Sequence, residues 1–259
     1  MFYKLQIFIL ALFTMGHFIK NNIITSIPLE IYNEFAIVFS ITSFMYFITR
    51  YLLDKFKTSF REINPSHKKM YVIKNYIKSF FLAGLCLNLG KFFDLLNGVL
   101  DLMFIKRCAV YYIMNDIIGL LLVKKLPTTT KIHHITTSLC GIAIIMKEKN
   151  NIDIITLIVL YAVFSSMAFC VNFYLGHRIH STNTVSKYLL SLSSFWIYLI
   201  SCLVCWLFQL FMAFRVIPTV PIWHTILYLV FLYSVGRDDI ILMKWLYNDK
   251  NNYKKILNT

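Results

Sequence analysis

Apolar runs of membrane-crossing length constrain this chain more than any other feature. Eight can be drawn, over about residues 2–19, 33–53, 79–100, 107–123, 127–146, 153–176, 188–213 and 222–245. A bilayer core is about 30 Å thick, so a crossing helix needs about 20 mainly apolar residues. A water-soluble domain of 259 residues has no use for so many; the hydrophobic fraction is 58% and the mean hydropathy +0.66. The sequence therefore predicts an all-α polytopic membrane protein, a bundle of seven to eight transmembrane helices. The first run has Lys4 before it, as a signal sequence would. Its end, Thr14-Met15-Gly16-His17-Phe18, is a poor cleavage site, so an uncleaved anchor is expected.

The basic residues set the orientation. The formal charge of +14 would suit nucleic acid, but the lysines and arginines sit between apolar runs, where they fix topology and meet anionic headgroups. Nucleic acid is excluded on that ground. Arg50, Lys55, Lys57, Arg61, Lys68, Lys69, Lys74 and Lys78 follow the second run. On the same side fall Lys4, Lys124, Lys125, Lys131, Arg178, Lys187, Lys244, Lys250, Lys254 and Lys255. The opposite side holds Lys20, Lys106, Arg107, Lys147, Lys149 and Arg215. Both termini are thus expected in the cytosol. Six cysteines lie inside apolar runs and read as packing, the Cys202-Cys205 CxxC included.

Ionisable groups inside apolar runs are costly, so they are functional candidates. The stretch from Tyr111 to Ile142 holds Asp116, a short basic turn and the adjacent pair His133 and His134. Pro127 suits a helix start, which places the pair about 10 Å from the cytosolic end at 1.5 Å per residue. By the same measure Asp116 lies about 12 Å deep, Asn172 about 9 Å, and Arg237, Asp238 and Asp239 about 8–11 Å. Four helices thus put polar residues at one level, as expected if they pair inside the bundle. In the third run Asn88, Lys91, Asp94 and Asp101 share a face, and Lys91 with Asp94 reads as an ion pair.

At these residues the chain resembles the TLC-domain family, the membrane domain of ceramide synthases and related lipid-handling proteins. The resemblance runs from about Asn64 to Trp245. It rests on NPSHKKMYVIKNYIKSF, YYIMNDIIGLLL, KIHHITT, FQLFMAFRVIP and ILMKWL, with the Asp helix followed by the His-His helix as its most specific part. It implies a TLC-type bundle around a lipid-accessible cavity, usually in the endoplasmic reticulum membrane. Residues 1–60 are then N-terminal anchor helices, 61–247 the TLC domain and 248–259 a cytosolic tail. Ceramide synthases join an acyl-CoA to a sphingoid-base amine, and their signature follows the histidine pair with an acidic HD-x-x-D element. Here the pair carries over to His133 and His134, but no acid stands between Asp153 and Asp238.

Two readings stay open. In acyl transfer, one imidazole takes the proton of the attacking amine or the acyl group itself, and Asp116 orients the other ring nitrogen. Asn172, Arg178, Lys124, Lys125 and Arg237 are candidates for substrate binding, the basic ones for the phosphates of acyl-CoA as co-substrate. In the second reading the same cavity serves non-enzymatic lipid binding, sensing or transport, and the polar residues hold helices together by hydrogen bonds. Arg237 with Asp238 and Asp239 reads as an internal ion pair with one exposed acid. His177 and His180 form HxxH, but membrane di-iron enzymes need more histidines in other spacings, so no metal is expected. The expected partners are membrane lipids; a homo-oligomer is left open.

Overall fold

In lipid, a helix satisfies its own backbone, and long apolar stretches have few alternatives. The computed structural model describes residues 29–88, 101–147 and 153–258, with Gly90, Asp94 and Val99 as single positions. These residues form helices and no strand. In order they are α1 (Leu29–Phe56), α2 (Thr58–Arg61), α3 (His67–Cys86), α4 (Leu102–Leu122), α5 (Thr128–Ile145), α6 (Ile154–Ser165), α7 (Phe169–His180), α8 (Thr184–Val216) and α9 (Ile222–Asn258). Short 3-10 turns join α6 to α7 and follow α8.

Local chemistry explains the boundaries. Asp101 caps α4 by accepting from the Phe104 amide at 3.0 Å, and Asn183 caps α8 by accepting from the Ser186 amide at 2.9 Å. Pro127 holds φ at −54° as the cap residue of α5, so the helix starts one position after the expected Pro127. The run 2–19 lies outside the described residues, as does Lys91 with its expected pairing.

The third run is where structure and sequence part. Its helix starts at His67 and ends at Cys86, not at 79 and 100. Lys74 and Lys78, read as loop charges, are 2% and 7% exposed inside it. Partners on α4 and α5 accommodate both, so the helix can begin before its apolar residues do. Asp101 belongs to the next helix as its cap, not to a polar face of this one.

Among the described residues, three helical stretches are long and apolar enough to cross a membrane: Leu29–Phe56, Leu157–His180 and Thr184–Thr219. The helices α4, α5 and α9 fall on the expected runs, but each carries charged or histidine side chains. Helices α3, α4, α5, α9, α8 and α7 each touch the next, and α7 packs back on α3, so the six close a ring. Helix α6 contacts α4, α5, α8 and α9. Helix α1 packs on α3 and α4, burying Ile31, Val38, Phe39 and Tyr46. This helix therefore packs into the bundle. Outward faces are apolar: Leu207, Leu210 and Phe214 on α8, and Trp223, Leu227 and Val230 on α9, are exposed.

Candidate functional site: a graded cavity

The ring encloses a cavity of about 420 Å³, within the roughly 300–1,000 Å³ usual for small-molecule sites. Its walls change character along the helices. On α5, Thr130, His133, His134 and Thr137 line one end and Gly141 and Ile144 the other. On α3, Lys74 and Lys78 give way to Leu82 and Leu85. Lining residues Thr130 and Ile144 are 14 positions apart, about 21 Å of helix. One end is charged and the rest apolar.

Asp116 organises the charged end. Its side chain is fully buried, and Lys78 Nζ donates to Oδ1 at 2.6 Å. Thr137 Oγ1 donates to Oδ2 at 3.0 Å. His134 Nδ1 lies 3.0 Å from Oδ1 but off the line of a hydrogen bond. On the far side of that ring, Lys74 Nζ stands 2.6 Å from Nε2. An ammonium only donates, so Nε2 accepts and the ring proton is assigned to Nδ1, facing the carboxylate. Nε2 of His134 is thereby occupied, and Nδ1 faces the carboxylate without a hydrogen bond. Beside this node Tyr46 of α1 donates to Asn115 Oδ1 at 2.9 Å.

His133 stands differently. Its Nδ1 lies 3.4 Å from Asp238 Oδ2, and its ring meets that of His134 edge-on at 5.6 Å. Its side chain keeps 18% exposure, against 3% for His134. His133 Nδ1 makes no hydrogen bond to that carboxylate, but the acid stands on its side of the ring and leaves Nε2 as the nitrogen that can exchange a proton. The neighbouring Asp239 turns the other way and accepts from Tyr161 and from Tyr198, the latter at 2.7 Å.

The structure brings several of the sequence candidates together and leaves others apart. Asp116 and His134 meet, His133 meets Asp238, and Asn172 and Arg178 line the same cavity. Lys124 and Lys125 are exposed in the α4–α5 turn and do not line it, and neither does the exposed Arg237. Among the described residues no ion pair joins Arg237 to Asp238 or Asp239. What sequence reasoning missed is Lys74 and Lys78. They are four apart and so share one helix face, but the sequence does not say which way that face turns. His177 bonds Ser186 at 3.1 Å, and His180 bonds Tyr76 at 2.5 Å. Among the described residues no group of three or more His, Cys, Asp and Glu side chains is gathered as a metal would need. No family model matches the chain, and no curated protein or solved structure matches it either.

Proposed function

We propose that the chain is a multi-pass membrane protein of the TLC type that takes a lipid chain into its intramembrane cavity, as part of lipid metabolism or homeostasis. It sits in the endoplasmic reticulum membrane with both termini in the cytosol. The observation that carries this reading is the grading of one cavity from charged to apolar, the complement of an amphiphile. The apolar outer faces of α8 and α9 support placement in a bilayer. The test is extraction and mass spectrometry of lipids that copurify with the protein. A single-chain lipid retained by the native protein, and lost from Ala162→Trp at the cavity wall with folding intact, is the expected result. Equal lipid content in both would sink the reading.

The His133–Asp238 geometry favours a second reading, acyl-CoA-dependent N-acylation of a sphingoid base. His133 Nε2 would take the proton of the attacking amine as the N–C bond forms. The thioester C–S bond then breaks, and the thiolate leaves with that proton. Asp238 would hold the imidazolium between the two steps. Membranes given labelled palmitoyl-CoA and sphingosine should form ceramide above background. His133→Ala should abolish that product, and Asp238→Asn should lower it about 10²–10⁴-fold, the scale of a lost orienting or acid–base group. Background-level product from folded native protein would leave the lipid-binding reading alone.

A further inference from the structure

Two basic side chains at the charged end of the cavity form no ion pair of their own. Lys74 is 2% exposed, and its Nζ meets the neutral acceptor His134 Nε2 at 2.6 Å. Arg178 lines the same cavity, with its Nε buried and without a hydrogen-bond partner. Its guanidinium lies 4.3 Å from the Trp245 ring centroid. Among the described residues neither forms an ion pair. The acids nearby are engaged. Asp116 takes Lys78, Asp238 stands 3.4 Å from His133, Asp239 accepts from two tyrosines, and Asp249, the acid on the Arg178 side, accepts from Tyr174.

The two cations also share a level. Helices α3 and α7 run antiparallel, with Ser79 bonded to Phe169 O and Cys86 to Ser166. They pack so closely that a Cβ on Gly176 would lie 3.2 Å from Val72 O. Two residues beyond Gly176, Arg178 therefore stands beside the turn of α3 that carries Tyr71 and Lys74. A buried lysine without an ion-pair partner, and a half-buried arginine whose Nε is unsatisfied, are both stabilised by an anion brought by a ligand. A guanidinium fork matches a carboxylate or phosphate, and an ammonium adds a point charge.

We propose that the cavity takes a single-chain lipid whose negative charge sits at the head of the chain, a carboxylate or a phosphate monoester, held by Lys74 and Arg178. The tail lies along Leu82, Ile113 and Ile144. This rests on the lipid-cavity reading above and names its ligand class. A protonated amine held at Lys74 and Arg178 meets two like charges, so a cationic single-chain lipid binds there more weakly than an anionic one.

The test uses full-length protein in nanodiscs and four labelled ligands: palmitate, lysophosphatidate, hexadecanol and sphingosine. Palmitate and lysophosphatidate should bind, displace each other, and exceed hexadecanol and sphingosine by about tenfold or more, a factor worth about 1.4 kcal/mol. The tighter of the two identifies the headgroup chemistry. Lys74→Met, which keeps an unbranched stem against Gly119, and Arg178→Met should each bring palmitate down to the level of hexadecanol. Hexadecanol or sphingosine binding the native protein as tightly as palmitate would overturn the proposal and leave the cavity reading standing. So would unchanged palmitate affinity in variants that melt like the native protein. If none of the four binds, the cavity reading falls as well. Should a variant fail to fold, the ranking of the four ligands on native protein still decides.

Discussion

At the scale of single residues, the chain concentrates its risk in one buried pair. Lys78 and Asp116 are ion-paired at 2.6 Å with almost no exposure. Breaking such a pair from one side strands a charge, at a cost of about 3–5 kcal/mol. Asp116→Leu should therefore destabilise by that order in denaturant titration from mixed micelles. Adding Lys78→Met should recover most of the loss, since an apolar pair of similar volume is close to neutral. Glycines give a second contrast. A Cβ on Gly141 would lie 2.1 Å from Ile113 Cγ2, whereas one on Gly84 meets nothing within 4 Å. We expect Gly141→Ala to cost about 1–3 kcal/mol by overpacking, and Gly84→Ala to add up to about 1 kcal/mol through helix propensity. Thermal unfolding of the two variants checks both signs. Asp116, His133 and His134 were legible because ionisable groups stand out in apolar runs. Lys74 and Lys78 were not, because a lysine beside a basic loop looks the same whether its stem turns outward or across to a carboxylate on another helix.

At the scale of elements, side-chain hydrogen bonds fasten helices that apolar contact alone would let slide. Gln209 of α8 is the clearest case: its Nε2 donates to Leu157 O on α6 at 2.9 Å, and Tyr228 of α9 donates to its Oε1 at 2.5 Å. Gln209→Leu leaves the tyrosine hydroxyl buried without a partner, which costs about 1–3 kcal/mol. The double variant with Tyr228→Phe should regain most of that stability in the same unfolding assay, and a strictly additive loss would count against the bridge. Helix existence was legible for six of the runs because hydropathy alone defines a long apolar segment. The third run was not, since its start is set by tertiary partners: without Asp116 and His134 opposite, a segment carrying Lys74 and Lys78 has no reason to leave the interface. The caps at Asp101 and Asn183 are side-chain choices that hydropathy does not register.

At the scale of the whole molecule, the ring of helices gives each cavity residue its neighbours from distant parts of the chain, and no spacing rule in the sequence announces them. His133 and Asp238 are 105 positions apart and meet across α5 and α9. Topology is testable at this scale. Lys125 in the α4–α5 turn and Lys255 near the end of α9 are exposed. In a cysteine-free background, Lys125→Cys and Lys255→Cys should both react with an impermeant maleimide added to the cytosolic side of sealed microsomes. Labelling of one and protection of the other would refute the proposed orientation. The last helix has a further consequence. It does not stop at Trp245 beside the cavity but continues unbroken to Asn258, about 20 Å more at 1.5 Å per residue. Its basic end, with Lys250, Lys254 and Lys255, is therefore carried on a stiff boom rather than a tether. Whatever surface that end rests on is held at a set stand-off and bearing from the entrance of the cavity.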